Sequence, residues 1–102
     1  MRIAIFAVGI CLSAPAWADV PEIRSEARAA LQAGRAEEAI AALEAGIVAH
    51  PEAAPLYADL GSARLAAGTF GSAAEAFERS LEIDPAQPVV RYNLVFTEGV
   101  GE

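Results

Sequence analysis

The side chains of this 102-residue chain that carry chemistry are few and scattered. Glu78 and Glu82 stand four residues apart, so a helix would place both on one face. That spacing suits an acid pair or a weak cation site, and equally a solvated surface. Glu75 and Arg79 have the same spacing and suit a helix-stabilising ion pair. The single histidine, His50, directly precedes Pro51 in a turn. Its counterpart one repeat further on is Asp84, which marks a polar helix end and not a general base. Ser25, Ser62, Ser72 and Ser80 have no histidine partner in view, so a Ser–His–Asp arrangement is not expected. No glycine-rich phosphate loop is present. Gly68 and Gly71 flank a helix start and read as turn punctuation. No metal-ligand spacing and no cofactor motif occurs, so a non-catalytic chain without cofactor or metal is expected. Arg24 and Arg28, one helical turn apart, make the more informative pair. Together they could grip a carboxylate through bidentate hydrogen bonds. Tyr92 and Phe96, also one turn apart, would offer an apolar shelf.

Composition narrows the classes of function. Seven arginines and no lysine stand against fourteen carboxylates, for a net charge of −7. So acidic a chain lacks the basic patch of a nucleic-acid binder. Hydrophobic residues make up 55%, but 25 of them are alanine and carry little core volume. The chain is too apolar and too regularly patterned for disorder. Its length favours one domain.

Residues 1–18 read as a secretory leader. Arg2 supplies the positive start, Ile3 to Leu12 is an apolar run, and Ala16-Trp17-Ala18 gives a small-x-small cleavage pattern before Asp19. The run is shorter than the ~20 residues that span a bilayer, so no stable membrane insertion is expected after cleavage. Ile10 stands before Cys11 where a lipoprotein signal wants a small residue. Cleavage would leave residues 19–102, six arginines against fourteen carboxylates, and no cysteine. Disulfides and thiolate metal sites would then be impossible. The expected location is the bacterial periplasm.

Sliding the chain on itself until Leu31 falls on Leu65 also brings Ala33-Gly34 onto Ala67-Gly68, Ala39 onto Ala73 and Pro51 onto Pro85. The period is that of a two-helix repeat of about 34 residues. Leu43 meets Phe77 and Ile47 meets Leu81, apolar for apolar. Apolar residues at helical spacing run over about 20–33, 36–49, 55–67, 70–83 and 88–98. Gly34, Pro51, Gly68 and Pro85 end the first four. Thr69 is placed to cap the fourth helix. Gly99 and Gly101 should fray the last. Five helices and no strand make an all-α chain.

This pattern resembles the tetratricopeptide repeat. Tyr57, Leu60, Gly61, Ala73, Phe77 and Pro85 fall at the family's spacing, with Arg64 where an aromatic is preferred. In the first unit Ala27, Ala39, Leu43 and Pro51 fit, while Ile23, Glu26 and Ala30 depart. A third unit starts at Pro88 and carries Asn93-Leu94, with Val95 where a small residue is usual. The resemblance implies a helix–turn–helix solenoid of two units, about 20–53 and 54–87, plus a terminal helix over about 88–98. It places Ala27 with Ala39, and Gly61 with Ala73, at the closest helix approaches. Tyr57, Leu60, Phe77 and Leu81 would fill the space between units.

The resemblance also implies a concave face lined by the first helix of each unit, where solenoids bind extended partners. Its groove positions here are Arg24, Arg28 and Leu31, then Ala58, Ser62 and Leu65, then Val89, Tyr92 and Phe96. The implied function is a protein-interaction adaptor of the envelope, holding a segment of another protein that is acidic at one end and apolar at the other. A subclass of the family clamps acidic chain ends with Lys and Asn. Asp59 occupies one such Asn position and no Lys exists, so that function is not implied. The terminal helix, Val89-Val90-Arg91-Tyr92-Asn93-Leu94-Val95-Phe96, is apolar on most sides and calls for burial. Self-association as a homodimer, a docked partner, or continuation beyond Glu102 would each supply it. The packing expectation has a direct check: Ala73→Leu should lower stability by ~1–3 kcal/mol through overpacking, read from the thermal midpoint.

Overall fold

The computed structural model describes residues 19–101, so the leader lies outside the described residues. Five helices follow one another: α1 (Val20–Gln32), α2 (Ala36–Ala49), α3 (Ala54–Ala66), α4 (Phe70–Ile83) and α5 (Pro88–Gly101). The fold is an all-α helical-repeat solenoid. Each helix packs on the next, and α1 also touches α3. The overall dimensions are 51 × 25 × 17 Å.

The turns inside the two units repeat bond for bond. The Gly34 N–H donates to Leu31 O (3.0 Å) and the Arg35 N–H to Ala30 O (2.8 Å). One repeat on, the Gly68 N–H donates to Leu65 O and the Thr69 N–H to Arg64 O, both at 3.0 Å. Gly34 and Gly68 have φ of 80° and 85°, the left-handed conformation that ends a helix in a Schellman turn. The repeat seen in the sequence is therefore a repeat of hydrogen bonds.

Three local expectations are corrected. The Thr69 hydroxyl does not cap α4; it donates backwards to Arg64 O at 3.1 Å. Its backbone N–H makes the same choice, so Thr69 closes α3. Gly71 is no turn but the second residue of α4, and α5 runs through Gly99 to Gly101. Among the described residues only Gly34 and Gly68 take a positive φ, so nothing at Gly71 or Gly99 breaks the helix.

The core has two centres. Ile23, Ala27, Ala39, Leu43, Leu56, Leu60, Ala63 and Ala76 form the larger. Ala73, Phe77 and Val90 form the smaller, with Ala58, Leu65, Leu81 and Leu94 against it. Tyr57, expected in the space between units, is only half-buried. Its hydroxyl donates to Pro51 O (2.9 Å) and ties the inter-unit turn to α3. Ser80 is fully buried and donates to Ala54 O at 2.9 Å. The Gln87 side-chain amide donates in turn to the Ser80 hydroxyl at 3.0 Å and to Asp84 O at 2.7 Å. These bonds fasten the end of α4 to the start of α3 and leave the buried hydroxyl satisfied.

Two glycines leave their space to a large side chain of the neighbouring helix. A Cβ on Gly61 would lie 2.5 Å from the fully buried Phe77 ring, and one on Gly46 would lie 2.8 Å from Ile23. Nothing lies within 4 Å of a Cβ on Gly71. The same substitution should therefore have opposite signs at two sites. Gly61→Ala should destabilise by about 1–3 kcal/mol, because the clash outweighs the gain in helix propensity. Gly71→Ala should be neutral or stabilise by up to about 0.5 kcal/mol. Urea denaturation of both variants checks the pair.

Candidate functional site

The first helices of the two units, α1 and α3, are bridged by one ion pair. Arg24 Nε donates to Asp59 Oδ2 at 2.7 Å and Arg24 Nη2 to Asp59 Oδ1 at 3.2 Å. This is the forked geometry that a guanidinium favours with a carboxylate. The hydrogen bond to Asp59 raises the Arg24 pKa above its ordinary value, against an opposing effect of partial burial. Helix periodicity sets the arrangement: position 24 on α1 faces position 59 on α3.

Arg28 sits one turn further along α1, exposed, and forms no hydrogen bond or ion pair among the described residues. The other described arginines are all engaged. Arg35 pairs with Glu38, Arg64 with Glu44, and Arg79 with Glu82, while Arg91 donates to Pro85 O. Arg28 lines a cleft of about 190 Å³ with Ala27, Leu31, Asp59 and Ser62. Ala27 and Leu31 give it an apolar side. Asp59 is already neutralised by Arg24. The Ser62 hydroxyl donates to Ala58 O at 3.3 Å, which leaves its lone pairs open to a donor. Such a cleft can hold a carboxylate at Arg28 with an apolar group beside it.

The structure thus gathers Arg28, Leu31 and Ser62 as the groove expectation proposed. It separates the others. Arg24 is occupied by Asp59, so the two arginines do not present a joint grip. Leu65 packs against the Ala73–Phe77–Val90 core. Val89, Tyr92 and Phe96 belong to α5 and do not line the cleft. Asp59 entered the sequence reasoning only as a departure from the Lys and Asn clamp, not as the partner of Arg24. Its signal was an acidic residue facing a groove that holds a third of the positive charge of residues 19–102.

A larger cleft of about 320 Å³ opens on the α2–α4 side, floored by Ile47, Leu60 and Ala76. Arg64 lines it, in the place where an aromatic was expected. Its guanidinium donates to Ser72 O (3.0 Å) and to Glu44 (3.2 Å). Arg79 lies over the Tyr57 ring, 5.7 Å from its centre, and donates to Glu82 at 3.1 Å. The expected Glu75–Arg79 pair is therefore replaced by Arg79–Glu82. Those two contacts, Glu82 first and Tyr57 second, raise the Arg79 pKa. Glu82 is thereby drawn away from acting with Glu78. Both arginines of this cleft are satisfied within the chain, which makes the α1–α3 cleft the better candidate site.

His50 caps the end of α2, its N–H donating to Gly46 O at 2.8 Å, and Asp84 does the same for α4 with Ser80 O at 2.9 Å. Among the described residues, no three His, Cys, Asp or Glu side chains are grouped to hold a metal ion. No described helix is long and apolar enough to cross a membrane.

No curated protein matches the chain. The sequence profile of the tetratricopeptide repeat matches residues 24–88, which span both turns, the Gly61 crossing and the Arg28 cleft. Paired helices, turns that repeat bond for bond and a profile match over most of the chain agree: it belongs to the tetratricopeptide repeat family.

Proposed function

We propose that this chain is a non-catalytic adaptor of the bacterial envelope that holds a segment of another protein in the α1–α3 cleft. Repeats of this family generally mediate protein–protein interaction and are typically non-catalytic. The carrying observation is Arg28, the one described arginine without a hydrogen bond or ion pair among the described residues, beside the apolar Ala27 and Leu31. A side-chain or terminal carboxylate of the partner would meet its guanidinium, and a small apolar side chain would rest on Leu31. The Arg24–Asp59 pair holds the cleft's two walls in register.

The charge layout supports this face. The first helices α1, α3 and α5 each carry as many arginines as carboxylates. The second helices carry the excess: α2 has Glu37, Glu38 and Glu44 with no arginine, and α4 has three glutamates to one arginine. An acidic partner is repelled by the α2–α4 layer and tolerated by the other. The periplasmic location rests on the leader-like residues 1–18 and the expected cut before Asp19.

Affinity capture from an envelope extract, followed by titration of the recovered partner, tests the proposal. Arg28→Glu is the cleaner variant, since changing Arg24 would also break its bridge to Asp59. It should weaken partner binding by at least about tenfold with an unchanged melting temperature. A partner held equally well by Arg28→Glu would overturn the assignment of the cleft.

A further inference from the structure

The helix α5 packs through one side only. Val90 and Thr97 are buried and Leu94 lies against the Ala73–Phe77–Val90 cluster. Its other side presents Val89, Tyr92, Val95, Phe96 and Val100 to solvent at 69, 70, 64, 50 and 46% exposure. Apart from Val48, these are the exposed large apolar residues of the described chain. Such residues scattered singly are ordinary, but a patch of five on one helix marks a contact surface.

Two features say what covers it. The first is steric. Val95 is the counterpart of Gly61 one repeat on, and at Gly61 even a single Cβ would come within 2.5 Å of Phe77. A helix cannot pack on α5 as closely as α4 packs on α3. The occupant crosses at a wider separation, which rules out a third unit built like the second.

The second is charge. The charged residues of α5 are Arg91 and Glu98, both exposed. They are seven residues apart, close to two turns, and so lie along the same edge of the apolar face. Arg91 donates one Nη2–H group to Pro85 O and keeps further donors free. Among the described residues Glu98 makes no hydrogen bond or ion pair. When two copies of a helix pair antiparallel about a two-fold axis, each edge meets its own equivalent running the other way. Arg91 then faces Glu98 of the second copy, and Glu98 faces its Arg91. A parallel pair would set this edge against the Val89–Phe96 edge and leave both charges unmatched. The acidic excess of α2 and α4 opposes self-contact through that layer, while α5 is neutral.

We propose that α5 is the contact surface of a homodimer, two α5 helices packing antiparallel about an axis near Val95, with reciprocal Arg91–Glu98 pairs. Val89 of each copy then lies near Val100 of the other. A helix of about 21 Å offers less than the ~800 Å² per partner of a standard interface, so the dimer dissociates in the micromolar range.

Sedimentation equilibrium of the purified chain from about 1 µM to 1 mM tests this. The wild type should pass from monomer to dimer mass across that range. Arg91→Glu alone and Glu98→Arg alone should each weaken association by about tenfold, because like charges then face each other. An equimolar mixture of the two variants should regain wild-type affinity, since unlike charges are restored in the mixed dimer. That recovery also shows that both variants are folded. A wild type that stays monomeric, variants that dimerise like the wild type, or a mixture without recovery would each overturn the proposal. None of these variants touches the Arg28 cleft, so the adaptor reading stands or falls separately.

Discussion

The Phe77 ring lies on the bare backbone of Gly61, and the second unit is built around that contact. The ring occupies the space a side chain at position 61 would take. It thereby sets how closely α4 approaches α3, and α4 in turn carries α5. The same device, with other residues, sets the approach of α2 to α1 inside the first unit: Ile23 fills the space over Gly46. A solenoid has no single centre, so its stability is a sum of such neighbour contacts. In a chain with 25 alanines, these few large side chains seated on glycine supply much of the shape specificity.

This packing leaves the polar features where they can act. Aligned first helices bring Arg24 to Asp59 across 35 positions of sequence and leave Arg28 next to the bridge, uncommitted. The neutral layer of α1, α3 and α5 holds both the cleft and the apolar terminal face. The acidic layer of α2 and α4 keeps the opposite surface solvated. Electrostatic sorting of this kind selects which face a partner approaches more than it sets how tightly it binds.

How far the sequence foretells the structure depends on the range of the interaction. Gly34, Gly68, Pro51 and Pro85 act on their own neighbours, so the helices and the period of the repeat could be read directly. Gly61 was readable because the family resemblance names its spacing. Gly46 was not, because its reason is Ile23 on another helix, and in the sequence it is only a glycine inside a helical run. Thr69 and Arg79 each had two partners within reach, and the structure chose the one that periodicity did not favour. Thr69 bonds backwards because the Schellman turn already brings it to Arg64 O. Arg79 leans to Glu82 while lying over Tyr57. The groove residues divide in the same way. Arg28, Leu31 and Ser62 follow from helix phase, whereas the occupation of Arg24 depends on Asp59, a contact between units.

The Gly61–Phe77 contact is the specific constraint on the α3–α4 crossing. A double-mutant cycle of Gly61→Ala and Phe77→Leu, followed by urea unfolding, tests that most directly. The smaller side chain at position 77 should make room for the new Cβ. The double variant should then be more stable than the sum of the single losses implies, by about 1 kcal/mol or more. Losses that add within about 0.5 kcal/mol would show that the two positions do not share that space, and would contradict the account.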